Sequence, residues 1–152
     1  MSTSGDVRSF AESYAAEKGW KVLDVVCWSM RRRTCRFAHA LFYTGNGYKV
    51  YIMRPDWENR INAILVASIP ESVVEYICRS VDRYGEEHLT CWCVTANGKE
   101  LCTPDLPRVI KFLAREGYIS VRVRVGSRAY AVIANAIYTI AREVKASECP
   151  CN

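Results

Sequence analysis

The chain has 152 residues, of which half are hydrophobic, and its formal net charge is +5. This composition excludes a disordered chain and predicts one folded domain or two small ones. No stretch reaches the roughly 18 consecutive apolar residues of a membrane-spanning helix, and the N-terminus lacks the basic and apolar regions of a signal peptide. We therefore expect a cytoplasmic protein without a membrane partner.

The first half of the chain predicts one helix followed by antiparallel strands. Residues 4–19 have helical periodicity that ends at Gly19, and residues 20–28 are typical of a strand. The basic segment 31–34 connects this strand to a hairpin, residues 35–54, which turns at Gly45-Asn46-Gly47. Another predicted strand spans residues 60–69 and ends before Pro70.

The second half predicts helices and strands in alternation. Helical spacing of apolar residues predicts helices over 70–85, 103–117 and 128–145. The residues expected to be buried on the last two helices are Leu106, Val109, Ile110 and Leu113, and Tyr130, Ile133, Ile137 and Ile140. Residues 89–102 predict a hairpin that turns at Asn97-Gly98, and alternation of valine with arginine predicts a strand over 119–125. The fold class expected is α/β, a two-layer α+β arrangement whose helices pack mainly on one face of a mixed sheet. We predict a single domain over 1–152 with a soft boundary near 70–85, residues 1–70 being a helix plus antiparallel strands.

The residue usage is typical of proteins from thermophilic organisms. The chain has eight cysteines, no glutamine, and fifteen arginines against six lysines. Thermolabile residues are depleted in such proteins, and intracellular disulfides occur in them. Arginine also has a planar fork of donors that suits phosphate and carboxylate groups.

Counting outward from a two-residue turn at Asn97 and Gly98 places Cys93 opposite Cys102 at a non-hydrogen-bonded position, where strands approach most closely. We predict a disulfide between these two cysteines. An alternative is a zinc ion held by the thiolates of two Cys-x-Cys pairs: Cys91, Cys93, Cys149 and Cys151. Because zinc sites usually have a Cys-x₂-Cys spacing, we expect no metal and no cofactor.

Two groups of basic residues are candidates for phosphate contacts. Arg122 and Arg124 would lie on one face of the 119–125 strand, and Arg128 would follow at a helix N-terminus, which favours anions. The second group lies in the run MRRRTCR: Arg31, Arg32, Arg33 and Arg36. The alternative for both groups is a solvated surface, with the strand arginines paired to carboxylates.

From Val94 onward, the order of elements resembles the Alba family of small archaeal DNA- and RNA-binding proteins. The matching positions are Gly98-Lys99, Gly117, Gly126, Arg128-Ala129-Tyr130 and Arg142. The resemblance covers residues 94–145 and implies that 86–146 forms a β-α-β-α unit that binds nucleic acid, with Lys99 beside the arginines. The chain departs from the family where SECPCN replaces the final hairpin.

These observations predict a nucleic-acid-binding module, with DNA or RNA as partner, in a homo-oligomer without catalytic residues. One alternative is a structural protein that dimerises, for example a small viral or accessory protein. Another is a nuclease-like fold, because the opening helix with Glu12 and a strand with Asp24 resemble the start of some restriction-type nucleases. The strand 51–54 lacks the carboxylate that would hold Mg²⁺, so such a fold would be inactive. We expect His39 to be structural and see no catalytic partner for His88.

Overall fold

The structure, a computed structural model, describes residues 4–82 and 85–151. Its contacts divide the chain into two units, Met1–Ile69 with Ile119–Val123, and Pro70–Tyr118 with Arg124–Asn152. The predicted mixture of helices and strands is confirmed, but the strands form two four-stranded sheets rather than one. That the helices pack mainly on one face remains a prediction. Within the described ranges, no helix is long and apolar enough to cross a membrane.

The first unit is a helix packed on a sheet of order β1-β2-β3-β4. Its elements are α1 (Ser4–Lys18), β1 (Lys21–Arg31), β2 (Thr34–Tyr43), β3 (Gly47–Pro55) and β4 (Ile61–Pro70). Val7, Ala11 and Ala15 recur every four residues on α1 and are buried against β1 and β2. Gly19 ends the helix with a φ of 74°, as expected from the sequence. The predicted hairpin between β2 and β3 is also confirmed.

Residues 119–125 do not form the predicted strand. The segment makes one isolated bridge, between Ile119 and Ala67, and Ser120 donates to the Val66 carbonyl over 2.8 Å. The rest of the segment is irregular. Alternating valines provide apolar residues on one side, but without a continuous neighbouring strand the backbone groups cannot form a ladder.

The second unit contains a mixed sheet of order β7-β6-β5-β8 and two helices. Its elements are β5 (Val73–Asp82), β6 (Gly85–Ala96), β7 (Lys99–Thr103), α2 (Leu106–Arg115), α3 (Arg128–Ile140) and β8 (Arg142–Ala146). Strands β5 and β6 are antiparallel, whereas β8 runs parallel to β5. The four apolar residues predicted to face inward on α2 are all buried: Leu106, Val109, Ile110 and Leu113.

One predicted helix in this unit is wrong, and another is shorter than predicted. Residues 70–85 were expected to be helical, yet they contain β5, which lies between β6 and β8. The expected helix 128–145 ends at Ile140, and residues 142–146 instead form β8. On the helix that remains, Ile133 and Ile137 are buried as predicted, whereas Tyr130 and Ile140 are only half-buried. β5 forms ladders with a neighbour on each side, and this pairing overrides the helical spacing of its apolar residues.

The second predicted hairpin forms with the expected register. Asn97 and Gly98 have φ angles of 54° and 76°, which a type I′ turn requires. Counting outward from that turn, β6 and β7 pair Ala96 with Lys99 and Cys93 with Cys102.

Candidate functional site

The basic connector of the sequence is the turn of a hairpin formed by β1 and β2. Arg31 pairs with Thr34, so Arg32 and Arg33 are the two central residues of the turn. Their φ angles are 51° and 64°, in the left-handed region. A two-residue turn with positive φ at both positions matches the twist of the strands, but asparagine and glycine usually occupy it.

The end of this hairpin extends beyond the ladder that joins β2 to β3. The ladder between β2 and β3 runs from the pair Ala38–Met53 to the pair Tyr43–Tyr48, so the part before Ala38 pairs only with β1. Cys27 and Cys35, one on each strand, are at disulfide distance, and their Cα atoms lie 6.0 Å apart. A cross-link at this position would hold the two strands together where the ladder between β2 and β3 has ended.

Two irregularities alter the register near the turn. Cys27 pairs with Ala38 and Ser29 with Phe37, which leaves Trp28 as an extra residue on β1. Met30 then pairs with Cys35, which leaves Arg36 as an extra residue on β2. Bulges of this kind increase the local twist and redirect side chains, and they are frequent beside functional sites.

We call residues 28–36 the arginine hairpin. Its four arginines are exposed: Arg31, Arg32, Arg33 and Arg36. None of them forms an ion pair with any residue in the part of the chain that the structure describes. The structure therefore brings together this group of predicted site residues, at the end of a two-stranded ribbon.

Trp28 is part of the same hairpin and was not identified from the sequence. Its ring is 41% exposed, and its Nε1–H donates to Nδ1 of His39 over 2.6 Å. The imidazole of His39 is fully buried on β2, and burial lowers its pKa from 6.5 to about 4, with a smaller opposing effect of Asp24. Neutral His39 therefore accepts this bond at ordinary pH and fixes the indole beside the arginines. The signal in the sequence is a tryptophan three residues before a run of arginines.

Lys99 does not provide a free positive charge. Its Nζ lies 3.2 Å from the Glu116 carboxylate, whose side chain is 7% exposed. Asn97 donates to the Glu116 carbonyl over 3.1 Å, and the Tyr118 hydroxyl donates to the Asn97 Oδ1 over 3.2 Å. These bonds connect the β6–β7 turn to the end of α2, which gives Lys99 a structural role.

The remaining predicted arginines do not share one element. Arg122 and Arg124 are exposed but lie in the irregular segment, and the unit boundary falls between them. Arg128 is exposed at the first residue of α3. The predicted helix N-terminus is confirmed there, since the Ser127 hydroxyl accepts from the Tyr130 N–H over 3.2 Å. The strand expected to hold Arg122 and Arg124 on one face is absent.

A second basic surface lies on α2 and was not predicted. Arg108, Lys111 and Arg115 are spaced by three and four residues, so they follow one face of the helix. Together with Leu101 and Phe112 they line an open groove of about 420 Å³. Within the described residues, none of these three cations forms an ion pair.

The two carboxylates of the nuclease alternative, Glu12 and Asp24, lie on different elements and differ in burial. Glu12 on α1 is exposed and lies 4.0 Å from Arg8, whereas Asp24 is half-buried on β1. The side chain of His88 lies outside the described residues.

Comparison with known proteins finds no matching family model, no similar curated protein and no similar solved structure. The candidate site of this chain is therefore argued from its own geometry.

Proposed function

We propose that this protein binds nucleic acid through the arginine hairpin, without catalysing a reaction. The observation that carries the proposal is the turn, where Arg32 and Arg33 both have left-handed backbone conformations. Such a conformation costs an L-residue roughly 1–2 kcal/mol relative to the right-handed region. Residues held in rarely populated conformations cluster at functional sites, so a pair of arginines at this turn supports a binding role.

Phosphate is the ligand that best fits the exposed side chains. Guanidinium groups donate paired hydrogen bonds to phosphate oxygens, and the ones in the hairpin have no carboxylate partner among the described residues. The half-exposed indole of Trp28 adds an aromatic surface at the same place. The arrangement is suited to backbone contacts of the type that give salt-dependent affinity.

The shape of the hairpin favours duplex DNA over duplex RNA. The major groove of B-form DNA, about 12 Å wide, admits a two-stranded β-ribbon, whereas the major groove of A-form RNA is too narrow. The end of the β1–β2 hairpin, where β2 precedes Ala38, is a two-stranded ribbon of this kind. We therefore assign duplex DNA as the preferred partner.

Fluorescence anisotropy across a salt series, with labelled duplex DNA and duplex RNA of the same sequence, tests this assignment. The variant Arg31→Ala/Arg36→Ala should reduce the slope of log affinity against log salt by about two, because each lost phosphate contact lowers it by about one. The matched control is Arg108→Ala/Arg115→Ala, which removes the same charge from α2 and should leave the slope unchanged.

Three results would contradict the proposal. The first is a parent protein that binds neither duplex. The second is an equal reduction of the salt slope in both variants, which would mean that affinity follows net charge. The third is a reduction of the salt slope in the α2 variant alone. Tighter binding of the RNA duplex would reject the assignment to DNA while leaving the hairpin as the site.

Apolar residues on β1 favour a second candidate function, self-association through the sheet edge. β1 is an edge strand, and it exposes Leu23 by 38% and Met30 by 53%. Unpaired edges can pair with a second copy of the same chain. Sedimentation equilibrium of the parent and of Leu23→Lys would separate the two functions. A dimer that the variant disrupts supports self-association, and a parent that stays monomeric at high concentration excludes it.

A further inference from the structure

The second unit gathers cysteines on one face of its sheet. Cys78 on β5 pairs with Leu89, and Cys91 on β6 pairs with Tyr76, so these two cysteines are diagonal neighbours on the same face. Both are buried, whereas Cys149 and Cys151 follow β8 and pack against them half-buried. The pairs at disulfide distance are Cys78 with Cys149 and Cys91 with Cys151.

The two pairs are close to each other. The sulfur atoms of Cys91, Cys149 and Cys151 all lie within 4.8 Å of one another, and the fourth, that of Cys78, is at bonding distance from Cys149. Four thiolates around zinc at 2.3 Å stand about 3.8 Å apart at the corners of a tetrahedron. To reach that spacing all four side chains would rotate, those of Cys78 and Cys91 on the strands included.

We propose that the reduced protein binds one zinc ion through Cys78, Cys91, Cys149 and Cys151. The zinc set considered from the sequence contained Cys93, but Cys93 faces Cys102 across the β6–β7 ladder and is at disulfide distance from it. Cys78 takes its place. Zinc is the metal that four thiolates in a tetrahedron select among the divalent ions common in proteins.

The surroundings meet a further requirement of a metal site, access for the ion. An open groove of about 820 Å³ borders the cluster and gives an ion a path to it. Cys78 and Cys149 line that groove.

The site would exist only after reduction. Each disulfide accepts two electrons and two protons from a dithiol, which is itself oxidised to a disulfide, and yields two thiols. Zinc binding then releases the four thiol protons, so affinity rises with pH. In either state the segment 147–151 stays attached to β5 and β6, by covalent bonds when oxidised and by zinc when reduced.

Metal analysis of the reduced, desalted full-length protein tests the proposal. With zinc supplied, the parent should retain about one ion per chain, and with cobalt it should show the charge-transfer absorption of a tetrahedral four-thiolate site. Cys149→Ser/Cys151→Ser should lose both signals. Cys93→Ser/Cys102→Ser is the matched control, since it removes two cysteines of the same unit and should retain both signals. Circular dichroism of each variant checks that the fold persists.

Several results would overturn the assignment. A reduced parent that retains neither ion rejects the site without relying on any variant. Zinc retained equally by Cys149→Ser/Cys151→Ser, or lost from Cys93→Ser/Cys102→Ser while that variant remains folded, shows that other ligands hold it. A cobalt spectrum of fewer than four thiolates rejects the four-cysteine set. None of these outcomes bears on the arginine hairpin, which belongs to the other unit.

Discussion

Arg32 and Arg33 have positive φ angles, as do Asn97 and Gly98, which form the two-residue turn between β6 and β7. Asn-Gly is the residue pair that this turn type prefers, because glycine has no Cβ and asparagine tolerates the left-handed region. The Arg-Arg turn is therefore less stable than an Asn-Gly turn would be at the same position. The difference is understandable if arginine side chains are needed at the tip of the hairpin.

His39 makes stability depend on pH. Its pKa is about 4 in the folded protein and 6.5 in the unfolded chain, so the unfolded state binds more protons between these values. The stabilising effect is complete above pH 6.5 and is lost as pH falls towards 4. Between pH 7.5 and pH 5, we expect the free energy of unfolding to fall by about 2 kcal/mol from this residue. Urea unfolding at the two pH values measures the change.

The control is His39→Asn, which keeps an acceptor for the Trp28 indole but does not titrate in this range. The variant should be less stable than the parent at pH 7.5, because it leaves a cavity. The change in its free energy of unfolding between pH 7.5 and pH 5 should nevertheless be smaller than that of the parent, by the amount attributed to His39. An equal pH dependence in parent and variant would show that other groups cause it.

At the scale of secondary structure, elements defined by local chemistry could be predicted from the sequence. The hairpin of β6 and β7 was predicted with its register because Asn97-Gly98 specifies the turn type, and a two-residue turn fixes which residues pair across the strands. Helix α2 was predicted with its buried face because four apolar residues recur at helical spacing. The turn at Arg32-Arg33 could not be predicted, since arginine has no preference for the left-handed region.

Elements that depend on distant partners could not be predicted. Val74, Ile77 and Cys78 in β5 fit a helical period, but this strand is held by β6 on one side and by β8 on the other. β8 lies about sixty residues further along the chain, beyond the reach of any local pattern. The same reason explains the 119–125 segment, where a strand-like pattern has no continuous neighbour.

Helix α3 should depend on the burial of Ile137, which is fully inaccessible to solvent. Ile137→Ala removes three methyl or methylene groups from a packed core and should lower the free energy of unfolding by about 2–5 kcal/mol. Chemical denaturation measures the loss. The neighbouring Thr139→Ala, at an exposed position, should change it by less than about 0.5 kcal/mol. Similar small effects at both positions would mean that this face of α3 is not part of a core.

The β6–β7 hairpin should contain a disulfide between Cys93 and Cys102, whose Cα atoms lie 4.2 Å apart. Peptide mapping without reduction should recover the two cysteines in one linked species. Replacing both by serine should lower the free energy of unfolding by about 3 kcal/mol under oxidising conditions, the value expected for a loop of this length. Recovery of both cysteines as alkylated free thiols from unreduced protein would refute the link.

At the scale of the whole molecule, the two units carry different chemistry. The first unit contains the arginine hairpin, and the second contains three of the four cysteine pairs. The basic residues that the Alba resemblance implied lie mainly in the second unit, where Lys99 is paired with Glu116. The proposed binding role therefore rests on the first unit, and the linked cysteines stabilise the second.

The most direct test of this account is the variant Arg32→Asn/Arg33→Gly, measured both for unfolding by urea and for binding of duplex DNA across a salt series. The account predicts changes of opposite sign. The free energy of unfolding should rise by roughly 1–2 kcal/mol as the turn takes its preferred residues. The salt slope of binding should fall by about two as two phosphate contacts disappear. A more stable variant that binds DNA with unchanged affinity and slope would contradict the account.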